Sequence, residues 1–78
     1  MIKIIQLSNA GFCVEKDEKE LTREFTIGAA TAFVLGYIIA NPNEGLTFTT
    51  IIDEPEKVHN IANTEAEADA YNRGLNFN

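Results

Sequence analysis

The chain of 78 residues has room for one domain, and at this size folding buries only about 60% of the surface the unfolded chain exposes. Its 45% hydrophobic content sets it apart from disordered chains. The net charge of −6 argues against nucleic acid as a direct ligand, because phosphate binding needs a concentrated basic surface.

The chain opens on "MIKIIQLSNAGFCVE", an extended stretch interrupted or bent at Asn9-Ala10-Gly11. It shows no basic region followed by a long apolar run, so a secretory signal is not expected. The single cysteine, Cys13, forms no internal disulfide and fits a reducing, cytoplasmic setting. A charged turn, "KDEKE", leads to "LTREF", where Leu21, Arg23 and Phe25 share a face at period two. Thr26 then caps a helix from Ile27 to Ala40, and "NPNEG" ends it because Pro42 cannot continue a helix and disfavours one at Asn41.

"LTFTTIID" is rich in β-branched and aromatic residues, with Leu46, Phe48, Thr50 and Ile52 on one side of a strand. "EPEK" makes a turn that suits Pro55, and "VHNIA" returns as the partner strand. Thr64 and Glu67 read as a capping box opening a second helix, Thr64 to Leu75.

Laid over one another at an offset of 38 residues, the halves repeat. Thr26 meets Thr64, Ala30 meets Ala68, Ala32 meets Ala70, Phe33 meets Tyr71 and Gly36 meets Gly74. The expectation is a single domain over 1–78, with a pseudo-repeat of 8–40 and 46–78 and a linker at 41–45. The fold class is α+β: a two-layer sandwich of duplicated ββα units, with an antiparallel sheet and two helices on one face.

The first helix carries no charge and is apolar nearly all round, yet it is too short to span a bilayer. Gly28, Ala32, Gly36 and Ala40 make a smooth strip along it. Three roles are open: a central core element, a homodimer face, or a docking surface for a foreign protein. The acids fall in two turns and the second helix: Glu15, Asp17 and Glu18; Asp53, Glu54 and Glu56; Glu65, Glu67 and Asp69. These nine are candidates for meeting the basic surface of a partner protein.

Catalytic parts are few. Cys13 and His59 are the only thiol and imidazole, and the offset sets them opposite Ile51 and Leu21, ordinary strand positions. "DEPE" lacks the glycine of a calcium loop, and no phosphate loop or nucleophile elbow is present. No enzyme, metal or cofactor is expected.

"FTIGAATAFVLGY" and "NTEAEADAYNRGL" resemble a helix pattern common in small proteins of bacteriophages, in which an aromatic-Thr or Asp-Thr start precedes an Ala/Glu-rich stretch, then an aromatic residue and Gly. The first copy departs from it by lacking the acids. As a small, acidic, cysteine-poor chain, the protein is similar in class to phage-encoded inhibitors of host systems, including anti-CRISPR proteins. That resemblance implies an inhibitor that occupies a host protein's surface, in the host cytoplasm. The alternative is a small assembly protein that self-associates through the helix at 26–40.

Overall fold

A computed structural model describes residues 1–8, 11–58 and 63–77. The chain runs β1 (Ile2–Gln6), β2 (Phe12–Lys16), β3 (Lys19–Glu24), α1 (Ile27–Ala40), β4 (Phe48–Ile51) and α2 (Thr64–Leu75), with 3-10 turns at Pro42–Glu44 and Pro55–Lys57. The fold is α+β, a four-stranded sheet in the order β3-β2-β1-β4 with two helices. No helix among the described residues is long and apolar enough to cross a membrane.

The bend expected at Asn9-Ala10-Gly11 separates two antiparallel strands, with Gln6 opposite Phe12. Asn9 and Ala10 lie outside the described residues. Gly11 has φ +82, and a side chain there would strike the Glu24 carbonyl. The charged turn is a two-residue loop in which Asp17 (φ 52) and Glu18 (φ 67) both turn left-handed, the geometry that suits tight hairpins.

The sheet is mixed rather than antiparallel. β2 joins β1 and β3 antiparallel, but β4 runs parallel to β1, Ile2 opposite Phe48 through Ile5 opposite Ile51. The cause is connectivity: α1 carries the chain back across the sheet, so β4 starts from the same end as β1. The duplicated ββα unit is not confirmed among the described residues. Three strands precede α1, and one described strand precedes α2. Pro55–Lys57 is a 3-10 turn, Val58 is extended without a ladder partner, and 59–62 lie outside the described residues.

On β3 the shared face of Leu21, Arg23 and Phe25 does not form either. A register shift at Val14/Glu15 leaves Thr22 opposite Val14 and Glu24 opposite Phe12, so Glu24 turns inward and Arg23 outward. Leu21 still packs against the core.

α1 lies across β1, β2 and β3. Phe33, Val34, Ala29, Ala30 and Tyr37 bury against Ile2, Ile4, Phe12 and Val14, a single cluster that Ala70 of α2 joins. α2 packs on α1 far more than on the sheet. Both helices occupy one face, because Arg73 of α2 reaches Thr22 and Glu24, which share the side of Val14 and Phe12.

The helices run parallel, and their crossing is reciprocal. A Cβ on Gly36 would overlap the Tyr71 carbonyl and crowd Leu75; a Cβ on Gly74 would overlap the Phe33 carbonyl and crowd Tyr37. Each contact maps onto the other at the 38-residue offset of the sequence repeat. The repeat therefore lives in the helix pair.

One of the two helix caps differs by one residue from expectation. Thr26 Oγ1 accepts from Ala29 N at 3.1 Å, as expected. On α2 the cap is Asn63, not Thr64: its side chain accepts from Ala66 N at 3.1 Å, and Glu67 accepts from Asn63 N at 3.2 Å. An asparagine one position upstream makes the same bond as well as a threonine, so the reciprocal pair forms with the frame moved.

Candidate functional site

The strand registers define two ends of the sheet. Gln6, Phe12 and Glu24 lie level at what we call the upper end, and Ile2, Lys16 and Lys19 at the lower. α1 begins at the upper end, and the packing of Glu67 on Gly28 puts the start of α2 there too. The segment after β4 is tied to the same end by Gln6. Its amide donates to the Glu54 carbonyl at 2.9 Å and accepts from the Glu54 N–H at 2.7 Å, so one side chain extends the strand pairing beyond Ile51.

This sorts eight of the nine acids, the ninth, Asp69, lying further along α2 and paired with Arg73. Asp53, Glu54, Glu56, Glu65 and Glu67 share the upper end. Asp17 and Glu18 sit in the hairpin turn at the lower end, and Glu15, opposite Lys3, belongs to the sheet surface away from the helices. The two acidic turns therefore do not meet at one edge. Antiparallel return puts the β2–β3 turn where β1 starts, whereas the segment after β4 leaves where β1 finishes.

Several acids are already engaged. Glu54 pairs with Lys57 at 2.8 Å, Glu67 closes the α2 cap, and Asp69 holds Arg73 Nε at 2.8 Å. Asp53, Glu56 and Glu65 are exposed and appear in none of the described ion pairs.

Phe25, 91% exposed, also lies at the upper end, but after β3, at the sheet edge opposite to the one that Asp53, Glu54 and Glu56 follow. It precedes the Thr26 cap, the position from which an apolar side chain often folds back onto the first helical turns, yet here it projects into solvent. Sequence reasoning placed Phe25 on a strand face and missed it. Its place directly before a capping threonine was the available signal.

Of the smooth strip on α1, Gly28 faces Glu67 and Gly36 faces the α2 backbone, so those two positions serve the chain's own helix pair. Ala32 is half-buried and Ala40 exposed. The apolar side chains α1 presents outward are instead Leu35 and Ile39.

Cys13 lies on the helix-free face, buried beneath an ion pair. Its Sγ donates to Glu20 Oε1 at 3.3 Å, and the same oxygen accepts from Arg23 Nε at 2.9 Å. Burial first, then the Glu20 carboxylate, pushes the thiol up from 9.0 to about 11. His59 lies outside the described residues.

At the lower end a depression of about 400 Å³ has a floor of Leu21, Tyr37 and Phe77, and a rim of Lys16, Asp17, Lys19 and Glu20. Two lysines and two acids leave that rim without net charge, so it offers no concentrated negative field to a basic partner. No protein-family model, curated protein or solved structure matches this chain.

Proposed function

We propose that this protein works by binding another protein rather than by catalysis, and that it blocks a host protein with a basic surface in the manner of a phage or mobile-element inhibitor. The observation that carries the reading is the upper end. A phenylalanine that is 91% exposed stands at that end of the sheet, on the β3 side. The exposed Asp53 and Glu56 follow β4 at the opposite edge, with Glu65 at the start of α2, and none of the three enters a described ion pair. An exposed aromatic side chain can supply affinity, while carboxylates elsewhere on the same end steer the approach of a basic partner.

The experiment is capture from host lysate with wild-type and two variants, Phe25→Ala and the triple Asp53→Lys, Glu56→Lys, Glu65→Lys. A partner held by wild-type and lost by both variants supports the reading. No specific partner, or one that both variants retain, overturns it.

The assembly alternative, self-association through 26–40, draws on Leu35 and Ile39 of α1, 44% and 56% exposed. Large closed oligomers that dissociate when both are changed to Gln would favour it.

A further inference from the structure

The sheet has two edges, and they are protected differently. β3 reads KELTRE, with a charge at all but two positions, which discourages pairing with another strand. β4 reads FTTI and lies within "LTFTTII", seven residues without a charge, glycine or proline. All four β4 residues are exposed, and among the described residues the strand pairs only with β1.

Its free backbone groups can be assigned. The Ile2 N–H donates to the Thr47 carbonyl at 2.9 Å. Because successive residues of a strand point their polar groups to opposite sides, Thr49 and Ile51 also face β1. The N–H and C=O groups of Phe48 and Thr50 therefore point outward.

We infer that β4 is a homodimer edge, where a second copy of this chain pairs antiparallel and makes one continuous sheet. An unguarded β-branched edge is a standing invitation to aggregation, and the partner always present to cover it is another copy. The segment is also complementary to itself. A two-fold axis through Thr49, perpendicular to the sheet, sets Phe48 opposite Thr50 of the second copy and Thr50 opposite its Phe48, so the outward groups satisfy one another.

The same register sets Leu46 opposite Ile52 and Thr47 opposite Ile51, with no charge inside it. Just outside, the exposed Asp53 comes opposite Gly45, which sets no like charge against it. Glu44 comes opposite Glu54, each with its own counterion, Lys16 at 3.1 Å and Lys57 at 2.8 Å. Assembly stops at two because the remaining edges are the charged β3 strands.

The test is the mass of the full chain by sedimentation equilibrium, with hydrogen exchange on the same sample. The wild-type mass should be twice 8.6 kDa, with the Phe48 and Thr50 amides protected like that of Thr49. Thr50→Pro removes only an outward donor, so it should halve the mass and keep the wild-type circular dichroism. A wild-type monomer at every concentration overturns the inference, and so does a dimer whose Phe48 and Thr50 amides exchange freely. A dimer that survives Thr50→Pro also overturns it, because it must use another surface. These readouts need no foreign partner, so their failure is separate from any failure of the proposed function.

Discussion

Cys13 carries the opposite perturbation from a catalytic nucleophile. With its thiol at about 11 instead of 9.0, the reactive thiolate is about a hundredfold scarcer at neutral pH than in an unperturbed cysteine, before burial limits access. Alkylation of the native protein at pH 8 should be slower than of the urea-unfolded chain by at least that factor. Equal rates would contradict the buried thiol–carboxylate contact. The linkage has a definite sign. The folded state holds this proton more tightly, so the contribution to stability is full below pH 9 and is lost as the pH rises through 11.

Glu24 is the other residue whose surroundings decide its role. Only 8% exposed, it receives both Arg73 terminal nitrogens, at 2.7 and 2.9 Å, and the Thr22 hydroxyl at 2.6 Å. Arg73→Met leaves a nearly buried carboxylate with one donor. Because the arginine itself is 44% exposed, the loss should fall near the low end for broken buried pairs, about 2–3 kcal/mol by urea denaturation. Adding Glu24→Gln should recover part of it, since the stranded charge is then gone. An unchanged midpoint for Arg73→Met would mean that this pair does not hold α2 to the sheet.

At the scale of elements, the helix crossing rests on two glycines whose absent side chains admit the opposing backbone. Gly36→Ala and Gly74→Ala each gain about 1 kcal/mol of helix propensity but force two backbones apart, which no rotamer change can relieve. The steric cost should win, with a net loss of about 2 kcal/mol and a Tm lower by about 10 °C. Since both alanines wedge the same crossing, the double variant should lose less than the sum of the singles. Full additivity would separate the two sites and remove the reciprocal packing.

The glycines of this crossing stood in the sequence repeat, but sequence reasoning left Gly36 to a candidate dimer or docking face; that its partner is the chain's own second helix came only from the structure. The layer arrangement and a strand within Leu46–Asp53, found at Phe48–Ile51, were legible because period and β-branching are local signals. Strand direction was not. Whether β4 runs with or against its neighbour is set by which partner it finds, and Phe48 looks the same in either case. The inward turn of Glu24 depends on a bulge in β3 itself, where Leu21 is the extra residue, and the exposure of Phe25 on what the first helix leaves uncovered. The candidate acids were found by composition alone, so their division between two ends had to await the registers.

At the scale of the whole molecule, that division decides what the charge can do. Each of the three acidic stretches, Glu15–Glu20, Asp53–Lys57 and Glu65–Arg73, carries two more acids than bases, and together they account for the net −6. Five residues of β1 separate the ends, about 16 Å of strand, whereas the Debye length at physiological salt is about 8 Å. A partner docking at the upper end would therefore feel Asp53, Glu56 and Glu65 strongly and the Asp17–Glu18 turn hardly at all. Reversing those three to Lys should slow association with the captured partner by at least about tenfold at low salt and flatten its salt dependence. Reversing Asp17 and Glu18 should change the rate by less than about twofold under the same conditions. If the two reversals slow binding equally, the acidity acts as a diffuse field. If neither does, it serves solubility, and recognition has to be sought on apolar surface such as Phe25, Leu35 and Ile39.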